Sequence, residues 1–144
     1  MFVKTKAFME SKLVLDNDIQ QIPQLAEFID GIAEQAGLDM SVSMSLNLAM
    51  EEAVSNVMLY AYPQGSKRQV QIDATVQDGT IKFVISDSGI PFDPTAKQDA
   101  NIDLSVEDRP IGGLGIYMVK QIMDTVNYEY KDGKNILTLT KSIK

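Results

Sequence analysis

Two polar side chains four residues apart, Glu52 and Asn56, stand in a stretch whose other residues are mostly apolar. In an α-helix, residues at this spacing project from the same side, one turn apart. A carboxylate in such a position can take a proton from an attacking hydroxyl, and an amide oxygen one turn away suits Mg²⁺. The same pair also fits a solvated polar stripe, so the spacing alone leaves both interpretations open.

A second motif, Asp-Ser-Gly-Ile-Pro-Phe-Asp-Pro, begins at Asp87 directly after an alternating apolar segment. An aspartate at a strand end can accept a hydrogen bond from an exocyclic amine such as that of adenine. Gly89, two residues on, lets a flat ring approach the backbone. We predict that Asp87 and Gly89 contact a purine base, the alternative being an ordinary strand end followed by turns.

A glycine-rich string, Gly112-Gly113-Leu114-Gly115, precedes a segment with helical spacing. Glycines at the start of a helix let backbone N–H groups face an anion, and the helix dipole favours negative charge there. The string lacks the Lys-Ser/Thr of a Walker A loop and does not follow a strand as a Rossmann fingerprint does. It indicates phosphate binding, with a flexible loop as the alternative.

The composition excludes several kinds of catalytic group and several classes of partner. The 144 residues include no His and no Cys, which excludes imidazole bases, thiol nucleophiles and thiolate metal sites. With 13 Lys and Arg against 20 Asp and Glu, the formal charge is −7, and a nucleic-acid backbone would repel such a chain. No apolar stretch approaches the roughly 20 residues that span a bilayer, and the N-terminus lacks the apolar core of a signal peptide. We expect a soluble, cytoplasmic protein that binds neither nucleic acid nor membrane.

Hydrophobic spacing predicts the elements that must position these motifs. A first helix is predicted over residues 18–36, with Asn17 or Asp18 as its cap and Gly37 as its stop. A second is predicted to start near Asp39 or Ser41 and to run to about Ala61. Strands are predicted over 70–76 and 81–85 around Asp78-Gly79, and over 126–130 and 135–143 around Asp132-Gly133. Residues 2–15 fit one or two edge strands, and a third helix follows Gly115.

This order of elements predicts one α+β domain over residues 1–144, with the helices on one face of a mixed, largely antiparallel sheet. Residues 86–110 show no period and contain three prolines. A loop of this length inside a compact domain is usually functional. We therefore expect a lid over about residues 93–111.

Taken together, the three motifs resemble those of a known superfamily. EEAVSNVMLYAY resembles the N box, DSGIPFDP the first glycine box, and GGLGIYMVKQIMD the second glycine box of the gyrase, histidine-kinase and MutL type ATPases. Within that superfamily the chain is most similar to the bacterial anti-sigma factor and serine kinase group represented by RsbW and SpoIIAB. The resemblance spans roughly residues 14–143 and implies a Bergerat-type two-layer sandwich.

The resemblance implies a nucleotide site with particular roles. Glu52 would be the catalytic base and Asn56 the residue that coordinates Mg²⁺. Asp87 would contact the adenine amino group, with Gly89 beside the ring. The second glycine box, Gly112 to Gly115, would flank the phosphates.

The resemblance assigns the roles of some other positions less definitely. Thr138 or Thr140 in the last strand resembles the family threonine near the adenine, and the register leaves the choice between them open. Tyr60 and Pro91 stand where the family often has His and Gly. Arg109, at the end of the expected lid, could meet developing phosphate charge.

The implied function is an ATP- and Mg²⁺-dependent serine/threonine protein kinase and anti-sigma factor. Such kinases phosphorylate a STAS-type antagonist, the anti-anti-sigma protein, hold a sigma factor when that antagonist is modified, and form homodimers. The alternative is a non-catalytic nucleotide-binding regulatory protein that acts through protein–protein interaction. A third interpretation is an α+β domain without a ligand.

Overall fold

The computed structural model describes residues 8–62, 67–96 and 113–143 of the chain. Short 3₁₀ turns occupy Ile19–Gln21 and Pro94–Ala96. Beyond residue 96, the predicted lid lies outside the described residues, as do Arg109 and Gly112. The helices and strands are β1 (Phe8–Asp16), α1 (Ile22–Ala36), α2 (Met40–Tyr60), β2 (Gln69–Gln77), β3 (Thr80–Asp87), α3 (Gly113–Ile122), β4 (Thr125–Lys131) and β5 (Lys134–Ser142).

The helix ends follow from local capping. The Asp39 carboxylate accepts a hydrogen bond from the Val42 N–H at 3.0 Å and so starts α2. Gly37 adopts φ +69°, the left-handed conformation that ends α1 where the sequence predicts. Helix α1 begins at Ile22 rather than near Asp18, because Asp18 caps the preceding 3₁₀ turn instead.

The strands form one sheet in the order β1-β2-β3-β5-β4, and each neighbouring pair is antiparallel. The turns at Asp78-Gly79 and Asp132-Gly133 have positive φ at both residues, which suits two-residue hairpins. The non-local pair β3–β5 joins the two hairpins and sets Asp87 opposite Asn135. The predicted α+β architecture is confirmed, and Phe8–Asp16 forms an edge strand, while residues 2–7 of the predicted edge segment lie outside the described residues.

The core lies between the helices and one face of the sheet, here called the inner face. Along β2 and β3 alternate residues are buried there, from Val70 to Val76 and from Ile81 to Asp87. Helix α1 contributes Leu25, Ile29 and Ile32 from the other layer. In the described ranges, no helix combines the length and apolarity needed to cross a bilayer.

Candidate functional site

Helix α2 holds Glu52 and Asn56 where the two layers meet. Ala53 and Val57, one residue further along, are buried in the core and fix the rotation of this part of the helix. Asn56 is only 5% exposed, whereas Glu52 is half-buried. Within the described residues, the Nδ2 of Asn56 has no hydrogen-bond partner. A buried amide of this kind costs free energy unless a ligand or water satisfies it.

Glu52 lies directly against the first turn of α3. A Cβ placed on Gly115 would overlap the Glu52 Oε2 and lie 3.2 Å from its Cδ. Glycine is therefore what lets this carboxylate approach the start of α3. The positive end of the helix dipole favours a negative group at that point.

Asp87 ends the central strand β3 on the inner face and is 4% exposed. Its Oδ1 accepts hydrogen bonds from the Gly89 N–H at 2.8 Å and from the Asn135 amide at 2.9 Å. Its Oδ2 is buried and has no partner within the described residues. Burial raises the pKa of Asp87, and the hydrogen bonds from Asn135 and Gly89 lower it in part.

Hydrogen bonds hold the loop that follows Asp87 from two sides. The Tyr62 hydroxyl accepts from the Ser88 N–H at 2.7 Å and donates to the Gln69 carbonyl at 3.0 Å. On the other side, the Asn135 amide donates to the Ile90 carbonyl at 2.8 Å, and its Oδ1 accepts from the Phe92 N–H at 2.9 Å. The loop is thus held in place by the protein itself.

Helix α2 connects this loop to Glu52. The Ile90 N–H donates to the Ala61 carbonyl at 2.9 Å, and a Cβ on Gly89 would stand 2.7 Å from the Ala61 carbonyl carbon. Glu52 and Ala61 are separated by nine residues, about 13.5 Å of helix axis. One end of this span therefore meets the Asp87 loop and the other meets the first turn of α3.

The structure brings most of the predicted site residues around the second half of α2, from Glu52 onward. Glu52 contacts Gly115 in α3, and the loop holding Asp87 and Gly89 contacts the end of α2. Gly113 begins α3, and Leu114 follows it in the same first turn.

Thr138 and Thr140 are not brought to this cluster. Along β5 the buried inner-face positions are Asn135, Leu137 and Leu139, so the two threonines point to the opposite face of the sheet. Thr140 instead hydrogen-bonds the Thr125 hydroxyl of β4. The resemblance implied that one of them lies near the adenine, and in this register neither shares the inner face of the sheet with Asp87.

Asn135 is the residue that sequence analysis missed. It is 4% exposed and contacts Asp87, the loop after it and the Tyr128 hydroxyl. Its signal in the sequence was a polar residue in phase with the apolar Leu137 and Leu139, two residues after the Asp132-Gly133 turn. Alternation along a strand assigns all three to the inner face.

Two further features border the cluster. Tyr60 packs against Phe92 with ring centroids 5.6 Å apart, so this departure from the family pattern supports the Asp87 loop. A surface cavity of about 900 Å³ lies beside Tyr62 and Ser88, lined by residues of β1, α2 and β2. Its lining includes Ser88 of the Asp87 loop but neither Glu52 nor Asn56, so it borders the loop end of the cluster only.

Residues 15–141 match the family described as histidine kinase-like ATPase domain. The chain belongs to this family. The three motifs that carried the resemblance all lie within the matched residues.

Two curated relatives indicate to which type within this family the chain is similar. It is 31% identical to the serine-protein kinase RsbW of Staphylococcus aureus, over 86% of the chain and 85% of that protein. It is 27% identical to the RsbW of Listeria monocytogenes, over 95% and 90% respectively. These relatives confirm the RsbW type.

A solved structure shares the fold. The RsbU and RsbW domains of Rv1364c from Mycobacterium tuberculosis match with a TM-score of 0.67 at 18% identity. The match covers 94% of this chain and 32% of that longer one. It confirms the predicted histidine-kinase-like architecture.

Proposed function

We propose that this chain is an ATP-dependent serine/threonine protein kinase whose active centre is the cluster around α2. The observation that carries the proposal is the close approach of the Glu52 carboxylate to Gly115 in the first turn of α3. That approach sets a candidate proton acceptor beside the backbone N–H groups of a helix start, which favour phosphate. The names of the relatives as serine-protein kinases support the same conclusion.

Asp87 is the proposed adenine contact. Its Oδ1 is already engaged by Gly89 and Asn135, which leaves the buried Oδ2 to accept from the adenine amino group. Gly89 carries no side chain between that carboxylate and the ring. The base therefore meets a surface that the hydrogen bonds of the loop have already arranged.

The phosphates are proposed to lie between Asn56 and the second glycine box, residues 112–115. The buried Asn56 amide fits a role beside a hydrated Mg²⁺, which takes few protein ligands and binds phosphate oxygens. Phosphate oxygens and water would supply the remaining ligands of such an ion. When bound, Mg²⁺ neutralises charge on the phosphates.

In the proposed reaction, a serine or threonine hydroxyl oxygen attacks the γ-phosphorus of ATP. The new O–P bond forms as the bond to the β,γ-bridging oxygen breaks, ADP leaves, and the hydroxyl proton passes to the Glu52 carboxylate. Phosphoryl transfer depends mainly on positioning and charge stabilisation. Glu52 and the start of α3 would together supply the positioning of the hydroxyl and the stabilisation of charge on the phosphate.

The proposed acceptor is a STAS-type anti-anti-sigma protein, and the chain is proposed to hold a sigma factor when that protein is phosphorylated, in the cytoplasm and as a homodimer. The RsbW relatives support this assignment. The competing proposal is a regulatory protein that binds nucleotide without transferring phosphate.

Replacing Glu52 with Gln tests the proposal. We expect transfer of radiolabelled phosphate to a purified STAS-type partner to fall roughly 10²–10⁴-fold, because proton transfer contributes about that much. The affinity for a fluorescent ATP analogue should stay near that of the wild type. Glu51→Gln, the same change at the exposed neighbouring residue, is the matched control and should keep full activity.

Unchanged transfer by the Glu52→Gln variant would contradict the role of this carboxylate. A wild-type chain that binds ATP and labels no STAS-type partner would instead support the non-catalytic regulator.

A further inference from the structure

The first half of α2 exposes a row of large apolar side chains at a spacing of four residues. Met40, Met44 and Leu48 are 77%, 65% and 44% exposed, and they form what we call the Met/Leu row. The buried residues Leu46, Ala49 and Met50 already supply the core side of the same helix. No residue from Met40 to Met50 is charged. In the part of the chain that the structure describes, the core therefore does not include this row.

The Met/Leu row leads into the candidate active centre. Continuing at the same spacing, the next residues are Glu52 and Asn56. Four residues make slightly more than one turn, so such a row winds around the helix by about 40° per step. Residues at this spacing accordingly pass from exposed Met40 to half-buried Glu52 and buried Asn56. Leu48 is about 6 Å and Met40 about 18 Å from Glu52 along the helix axis.

The segment of the chain that contains the row has charges of one sign. Between Leu13 and Ser66 the chain has eight acidic residues and no basic one, whereas the rest has 12 acidic against 13 basic residues. This segment therefore carries the whole net negative charge. Exposed acids of α1 stand at Glu27, Asp30 and Glu34.

One of these acids borders the Met/Leu row directly. The Asp30 carboxylate accepts hydrogen bonds from the Asn47 amide at 2.8 Å and from the Ser43 hydroxyl at 3.3 Å. Asn47 and Ser43 immediately precede Leu48 and Met44 in α2. An uncharged apolar row is thus edged by the Asp30 carboxylate of α1, and Glu34 lies one helical turn further along that helix.

We propose that the Met/Leu row is the docking surface for the protein that carries the acceptor hydroxyl, and that the docking patch of this partner is apolar with a rim of Lys and Arg. This inference rests on the proposed kinase function. A protein substrate must be held against Glu52, and the row is an exposed apolar surface that begins one helical turn away. Carboxylates beside it attract a basic rim and steer the encounter. A second copy would bring two acidic segments together, so charge favours a different protein.

The test is a Met44→Ser, Leu48→Ser double variant, with phosphate transfer measured against increasing concentrations of the STAS-type protein that the wild type phosphorylates. We expect KM for this partner to rise about tenfold or more, as for loss of central apolar contacts. The kcat at saturating partner and the affinity for the fluorescent ATP analogue should be unchanged. Val14→Ser is the matched control, because Val14 is 43% exposed on the other face of the sheet.

Charge provides an independent readout. Glu34→Lys should raise KM for the partner and weaken the salt dependence of kcat/KM, whereas Glu129→Lys in β4 should change neither. An unchanged KM in the double serine variant would overturn the docking surface while leaving the kinase function intact. A wild-type dimer that the same variant splits into monomers in sedimentation would also overturn it, since the occupant would then be a second copy. A wild type that phosphorylates no partner would overturn both proposals.

Discussion

Asp87 combines a structural cost with a proposed binding role. Burial raises its pKa above the ordinary value of 3.8, because the ionised carboxylate loses hydration that two hydrogen bonds only partly replace. The folded chain therefore holds this proton more tightly than the unfolded chain does. Its contribution to stability is greatest at low pH and declines as the pH rises from 3.8 through the raised pKa.

Asp87→Asn should separate the two effects. The amide oxygen keeps the hydrogen bonds from Gly89 and Asn135, while the buried charge is removed. We expect the free energy of unfolding in urea to be at least that of the wild type at pH 7 and to depend less on pH above 4. Affinity for the fluorescent ATP analogue should fall about 10- to 100-fold, because an N–H donor then faces the adenine amino group.

Glu10→Gln, on the edge strand, removes one negative charge without touching the cluster and is the control. Nucleotide affinity that is equal in the two variants would contradict the adenine contact.

Sequence motifs were sufficient for some residues of the cluster and not for others. Asp87 and Gly89 were predicted because their chemistry is local, a carboxylate and a bare backbone two residues apart. Asn135 was missed, and Thr138 and Thr140 were expected near the adenine, because the position of each of these residues depends on which face of β5 it occupies. Alternation with Leu137 indicates the face on which Asn135 lies. The contact of Asn135 with Asp87, however, requires the pairing of β3 with β5, which cannot be predicted from local spacing.

At the scale of elements, α2 organises the site because it contacts two segments that are distant in sequence. Its end meets the Asp87 loop, and one of its inner turns meets the start of α3. Both contacts require a residue without a Cβ. The two glycines differ, however, in what a methyl group would strike: backbone atoms of Ala61 at Gly89, and a movable carboxylate at Gly115.

Gly115→Ala should therefore impair catalysis rather than folding. The added methyl group displaces the Glu52 carboxylate, and a displacement near 1 Å can reduce kcat roughly 10²-fold. Thermal unfolding should show a folded protein. The measurement is phosphate transfer at saturating ATP and partner.

Gly31→Ala is the matched control, since it lies inside α1 with nothing within 4 Å of the added Cβ. It should keep kcat and gain about 0.5–1 kcal/mol of stability from the helix preference of alanine. Wild-type kcat in Gly115→Ala would show that glycine there does not set the position of Glu52.

Element boundaries were predictable where their signals are local. Gly37 ends α1 and the two Asp-Gly turns fold the hairpins as expected, and of the two expected starts of α2 the structure has Asp39 rather than Ser41. The start of α1 was misplaced because Asp18 caps a 3₁₀ turn, which has the same cap chemistry as a helix. Capping residues identify that a turn begins, but the hydrogen-bond pattern that follows depends on packing.

At the scale of the whole molecule, a single core joins the two layers, and the central strand β3 lies in its middle. Phe83, at the centre of β3, is fully buried, with Ile81 and Ile85 on either side of it on the same face. The position of Asp87 at the end of this strand therefore depends on the same packing as the stability of the domain.

Phe83→Ala should lower the free energy of unfolding by about 3–5 kcal/mol, the usual cost of such a cavity. That is a large part of the roughly 5–15 kcal/mol available to a domain of this kind. Urea denaturation measures it. Lys82→Ala, the exposed neighbour on the same strand, should change stability by no more than about 0.5 kcal/mol. Equal losses in the two variants would contradict the assigned inner face.

Six of the eight acidic residues between Leu13 and Ser66 lie in α1, in α2 or at the cap of α2, which concentrates negative charge on the helix layer. On an anion-exchange bead or an amine-coated sensor chip, the molecule should settle with α1 and α2 against the support and the open side of its sheet toward the buffer. Immobilisation by charge would then bury Met40 and Met44 under the molecule. A covalent tether at the outer strands would leave them free for a partner flowing past.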